Sequence, residues 1–203
     1  MQPYLFPFIH YFRLIAAVDL FVLYDDVSYR KQGYINRNVI ALHGKPARFT
    51  VPVLGASSHK NINELFVSPA RDGKILTTMK HAYGGAPGFP KVYPLIEQAI
   101  LHPDKLLSSY ATCSIETMCA YLGIKTPMLL SSSIEKDPAL HGQARVIDIC
   151  TRLDANTYIN LSGGKILYDP EAFARAGMRL EFLESTPALS IIDDAMRGLE
   201  CLS

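Results

Sequence analysis

The first 26 residues constrain this chain most, because they change hydrophobic period twice in quick succession. Residues 1 to 7, MQPYLFP, read as the end of a strand that turns abruptly: Pro3 removes a ladder donor, and Pro7 closes an aromatic-rich run. From Phe8 to Val18 the apolar positions Phe8, Ile9, Phe12, Ile15 and Ala16 recur at helical spacing, with Arg13 on another face. Asp19 ends that helix, and Leu20 to Tyr24 (LFVLY) is an unbroken apolar run of strand length, as strands buried on both faces tend to read. Strand, short helix, strand is a β-α-β unit.

The rest of the chain extends the same alternation. Asn38 to Leu42 and Arg48 to Val53 flank the turn signal His43-Gly44-Lys45-Pro46, which predicts a small β-hairpin insertion. Gly55 to Asn63 is polar and loop-like, and Gly84 to Gly88 is a second break. Helices are expected over Lys74 to Tyr83, Lys91 to Ile100, Lys105 to Leu122 and Gly142 to Leu153. Strand-length apolar runs return at Met128 to Leu130, Tyr158 to Leu161 and Leu180 to Leu183. The expected fold class is therefore α/β, with a mostly parallel central sheet and helices on both faces. With 203 residues, no internal repeat and no dividing linker, one domain over residues 1 to 203 is the expectation.

Composition narrows the functional classes. A formal net charge of +1 supplies no basic stripe, so neither nucleic acid nor an anionic membrane surface is an expected partner. No 18-residue apolar run is present to span a bilayer, and Gln2, Pro3, Pro7, His10 and Arg13 interrupt any leader-like pattern. Cys113, Cys119, Cys150 and Cys201 form no C-x-x-C pair and read as reduced, buried thiols, which points to the cytoplasm. The six histidines show no H-x-x-x-H or H-E-x-x-H spacing, so no metal site is expected. No motif specifies a cofactor, and the oligomeric state is left open.

Candidate chemistry concentrates between residues 2 and 38. Asp25 and Asp26 follow the carboxyl end of a predicted strand, where open α/β sheets place their ligand crevice. They are the candidate catalytic pair, as general base or cation ligand, against the alternative that they merely end the strand. Successive strand residues face opposite ways, so only one of the two is expected to enter a pocket. Lys31, Asn36, Arg37 and Asn38 bring cations and amides near these acids, and a guanidinium fork suits a carboxylate or phosphate. The competing reading is a solvated, charge-balanced loop. Gln2, Tyr4, His10 and Tyr11 line the turn into the first helix as a pocket wall. Ser131 and Ser132, at another strand end, are hydroxyl donors to a phosphate or sugar, though serine runs are also ordinary loop material. Gln143 and Arg145 stand at a helix start, where they either face a site or cap the helix. No G-x-S-x-G elbow surrounds the serines, and Ser162-Gly163-Gly164-Lys165 lacks the spacing of a phosphate-binding loop.

Several ordered segments together resemble the WbqC-like protein family. They are QPYLFP followed by Tyr11-Phe12, then DLFVLYDDV, Lys31 to Asn38 (KQGYINRN), and Thr50 to Pro52. LGIKTPMLLSSS, HGQARVIDIC, YINLSGG and Leu189 to Asp193 (LSIID) complete the set, which covers nearly the whole chain. Three departures stand out: the chain opens at MQPYL where further strand residues are expected, His10 replaces a usual glycine, and Glu184 to Ala188 is short. The resemblance implies a role in surface polysaccharide or O-antigen synthesis, by acyl or aminoacyl transfer to an amino sugar or sugar nucleotide. The small-molecule partner implied is thus a sugar nucleotide, and the alternative is a non-catalytic sugar-nucleotide-binding or scaffold protein. The same resemblance favours Gln2, Tyr4, Asp25, Asp26, Lys31, Asn36, Arg37 and Asn38 as site residues.

Overall fold

A computed structural model describes residues 1–199; Cys201 lies outside them. The expected opening helix and following strand are α1 (Ile9–Ala16) and β1 (Phe21–Leu23), but the strand expected before them is not formed, and only Met1 meets the β1 segment. The Met1 amine donates to the Val22 carbonyl at 2.7 Å, and the Tyr24 N–H donates to the Met1 carbonyl at 2.7 Å. β2 (Arg37–Leu42) and β3 (Lys45–Thr50) form the expected hairpin in register Leu42↔Lys45, leaving His43 and Gly44 as a two-residue loop. Both carry positive φ, 51° and 75°, the geometry of a type I′ turn that matches strand twist. β4 (Val53–Leu54) and β5 (Phe66–Val67) make a second, shorter antiparallel pair.

Three helices then pack in sequence: α2 (Asp72–Tyr83), α3 (Phe89–Ile100) and α4 (Leu107–Tyr121). Their apolar stripes, including Ile75, Met79, Val92, Ile96, Ile115 and Met118, join the fully buried face of α1 in one core. β6 (Met128–Leu130) pairs in parallel with β1. After α5 (Gly142–Arg152), β7 (Thr157–Leu161) pairs in parallel with β8 (Arg179–Leu183), with the short α6 (Pro170–Arg175) between them. Val146, Cys150, Phe173 and Met178 form a smaller apolar cluster under this second pair. α7 (Ile191–Met196) returns to the main core beside α3.

The α/β class stands, but the expected large parallel sheet is corrected: among the described residues the strands form four two-stranded sheets, two parallel and two antiparallel. The cause is strand length. β1 and β6 have three residues each, and α1 packs against β7, so no ladder bond carries one parallel pair over to the other. An apolar run announces a buried strand without naming the edge that it meets.

Cys119 and Cys150 are buried, and desolvation pushes their thiols up to about 12 and about 11, so both are neutral at physiological pH. No helix among the described residues is long and apolar enough to cross a membrane.

Candidate functional site

The turn at Leu5-Phe6 sets the position of everything around it. Phe6 is fully buried with φ of 44°, a conformation that costs a bulky residue about 1–3 kcal/mol and persists only where its surroundings impose it. They do. The Asn38 side-chain amide donates to the Leu5 carbonyl at 3.0 Å and to the Phe6 carbonyl at 2.7 Å. The Ser190 hydroxyl donates to the same Phe6 carbonyl at 2.7 Å, the Phe6 N–H reaches the Ser114 hydroxyl at 3.0 Å, and the Leu5 N–H reaches the Tyr34 carbonyl at 3.0 Å. The segments QPYLFP, GYINRN and LSIID therefore meet at one buried bend. On its near side Gln2 and Tyr4 are delivered to a groove, while Tyr11 is buried behind them and donates from its hydroxyl to the Gln2 carbonyl at 2.9 Å.

That groove, about 1590 Å³ in volume, is lined from one side by the main core (Leu14, Phe21) and from the other by the smaller cluster (Val146, Cys150). Its lining includes Tyr4, with its ring 5.8 Å from that of the half-exposed Tyr34, and Arg30. Tyr24, Asp26, Gln143 and Arg145 line it as well.

At the carboxyl ends of β1 and β6 the two acids diverge. Asp25 is buried and commits both oxygens to Ser132, accepting from its N–H at 2.9 Å and its hydroxyl at 2.7 Å. It locks the two strand ends together. Asp26 turns instead toward the groove, where its Oδ2 meets Lys136 Nζ at 2.8 Å and Arg145 Nη2 at 2.6 Å. Burial alone would raise the Asp26 carboxyl. The Lys136 hydrogen bond, the facing Ser131 hydroxyl and the Arg145 charge together outweigh burial and hold it below the usual aspartate range. The Arg145 guanidinium also lies 5.5 Å from the centroid of the Tyr24 ring. Three of the buried side-chain atoms that find no hydrogen-bond partner belong to this cluster: Asp26 Oδ1, Ser131 Oγ and Arg145 Nε.

The other expected residues lie elsewhere. Asn36 is buried, accepting from the Tyr29 hydroxyl at 2.9 Å and donating to the Val51 carbonyl at 2.7 Å. Asn38 is the clamp of the Phe6 bend. Arg37 donates from Nε to the Gly33 carbonyl at 3.0 Å, and Lys31 is exposed on the same loop; neither lines the groove. Ser131 is buried under Asp26, and Ser132 is held by Asp25. His10 pairs with Thr186 at 3.2 Å outside the groove. Lys136 was not singled out from sequence, because nothing in KDPALHGQAR separates a cation that folds back from one that is solvated. No group of three or more His, Cys, Asp or Glu side chains suited to a metal ion occurs among the described residues.

The three segments that meet at the Phe6 bend are among those on which the family likeness rests, and the WbqC-like protein family matches residues 2–196. The chain belongs to the WbqC-like protein family. This WbqC-like chain is also similar to the uncharacterized protein Rv1507c of Mycobacterium tuberculosis, with 26% identity over 95% of this chain and 90% of that protein. No solved structure matches it significantly.

Proposed function

We propose that this WbqC-like protein is a group transferase that moves an acyl or aminoacyl group onto the amine of an amino sugar or sugar nucleotide, in the synthesis of a surface polysaccharide. The observation that carries this reading is Asp26, held as a carboxylate by Lys136 and Arg145, at the strand ends facing the groove. Strand carboxyl ends are where α/β proteins bind and transform small ligands. In such a transfer the new amide N–C bond forms as the donor's acyl bond breaks, and the proton that the amine gives up goes to the donor's departing group. Asp26 lines the groove and is the carboxylate that orients that amine. Its depressed pKa suits an orienting role better than strong proton abstraction. Tyr4 and Tyr34 offer rings for the remainder of the acceptor.

The test is mass spectrometry of amino-sugar nucleotides incubated with the protein and activated acyl or aminoacyl donors. A mass gain that Asp26→Asn reduces at least tenfold, with an unchanged far-UV spectrum, is the expected result. Equal mass gain by wild type and Asp26→Asn would remove Asp26 from the site.

A second reading is a binding or scaffold protein without chemistry. It is favoured by the commitment of both Asp25 oxygens and Asp26 Oδ2 to partners within the chain. Thermal stabilisation by a sugar nucleotide, with no product from any donor, is its signature.

A further inference from the structure

Counting donors in the Asp26 cluster separates its two cations. A lysine ammonium has three N–H bonds. Those of Lys136 are taken by the Ser131 carbonyl, by the Ile134 carbonyl at 2.9 Å and by Asp26 at 2.8 Å, and the side chain is 8% exposed. Lys136 is thus spent within the protein, tying the turn after β6 to Asp26. A guanidinium has five N–H bonds. Arg145 gives one, from Nη2, to Asp26, and its buried Nε has no partner. The two cations face one carboxylate, so the cluster keeps one uncompensated positive charge. The next acid, Asp148, does not cancel it, because Arg152 grips both Asp148 oxygens at 3.0 and 3.1 Å.

Position and orientation point the same way. Arg145 lines the groove together with His141, which caps α5, and Gly142 and Gln143, which begin it, and the first turn of that helix holds no acidic residue. The Tyr24 ring and Asp26 hold the guanidinium at the groove wall, which leaves the N–H bonds of Nη1 uncommitted for a second oxyanion. An ion pair already formed lowers the side-chain entropy lost when a ligand binds.

We infer that Arg145 is the anion receptor of the groove, taking the phosphate or pyrophosphate of its ligand, while Asp26 and Lys136 are positioning residues that hold the guanidinium ready. This rests on the transfer reading for the identity of the ligand, but not for the existence of the subsite. It also moves the anion grip from Arg37 and Lys31 to a residue on α5.

The experiment is calorimetric titration of the full chain with inorganic pyrophosphate, UDP, uridine and acetate. Wild type should bind pyrophosphate and UDP, with affinity falling as salt rises, and uridine and acetate at least tenfold more weakly. Arg145→Gln should lose tenfold or more in affinity for pyrophosphate and UDP, whereas Arg37→Gln and Lys31→Gln stay within twofold of wild type. Arg145→Lys keeps a cation beside Asp26, which preserves the fold, and should still lose about tenfold because it lacks the fork. Wild-type affinity in Arg145→Lys, a tenfold loss in Arg37→Gln, or no binding of pyrophosphate or UDP by wild type would each overturn the inference. Acetate bound as tightly as pyrophosphate would overturn the phosphate class. Arg145-dependent pyrophosphate binding in a protein that transfers nothing leaves this subsite standing while the transferase reading fails.

Discussion

Asn36 and Asn38 show how a motif of polar residues can be structural and still belong to the site. Their amides serve buried carbonyls, not solvent or ligand, and Asn38 alone satisfies two acceptors at the Phe6 bend. Sequence supplied the cluster but not its direction, because an amide presents the same donors to a buried carbonyl as to a substrate. Replacing Asn38 by alanine leaves the Leu5 carbonyl without that donor and should lower stability by about 1–3 kcal/mol in urea unfolding, with the midpoint shifted and the slope unchanged. The aspartates were legible to a further degree, since alternation along an extended segment sends one toward the strand partner and the other outward. Which one went outward depended on Ser132, which is remote in sequence. Asp26 carries a pH prediction whose sign follows from its lowered pKa. Its ionised form stabilises the fold fully above the ordinary aspartate value of about 3.9, and that contribution is lost as pH falls through its lower folded value. The stability difference between wild type and Asp26→Asn should therefore be largest near neutrality and shrink below about pH 4, followed by urea unfolding across a pH series.

Helices and hairpin were the most readable elements, because long periodic segments and turn residues are local signals. The expected helix over Gly142 to Leu153 is α5 at Gly142–Arg152, and the expected turn at His43-Gly44 joins β2 to β3. Six-residue α6 and α7 were missed, being too short to show a period, and α7 gains its place from the Ser190 cap, whose side chain accepts from the Ile192 N–H. The hairpin turn can be tested directly. Gly44→Val forces a β-branched residue to φ of 75° and should cost about 1–2 kcal/mol, whereas His43→Asn, better suited to positive φ, should gain a few tenths. α3 contains an exposed proline, Pro94, in its interior. Proline there forfeits a backbone hydrogen bond, so Pro94→Ala should raise the unfolding midpoint, with a gain of up to about 3 kcal/mol.

Across the whole molecule, the last described helix is fastened to the middle of the chain by backbone proximity. The Gly88 N–H donates to the Met196 carbonyl at 2.9 Å, and a Cβ on Gly88 would fall 2.2 Å from the Ala195 carbonyl oxygen. Gly88→Ala cannot be accommodated by moving a flexible side chain. It should lower the melting temperature by several degrees and speed hydrogen exchange over Ile191–Met196 before other helices respond. The Tyr83 hydroxyl adds a second tie, accepting from the Ala41 N–H and donating to Asp193 at 3.0 Å, so hairpin, α2 and α7 share one buried contact. Sequence could not foresee how the strands divide into pairs, because pairing is decided by such long-range ties and not by any run of residues.

The bend at Phe6 has a consequence for synthesis. Its carbonyl is held by Asn38 and by Ser190, so a chain leaving the ribosome can form the first clamp early but must wait for the second until Ser190 has emerged. During that interval the strained backbone at Phe6 lacks one of its three side-chain clasps, and the wall that carries Gln2 and Tyr4 is only partly set. The groove is thus among the last features to mature, and a nascent chain halted before Ser190 should be readily cut by protease near its own beginning.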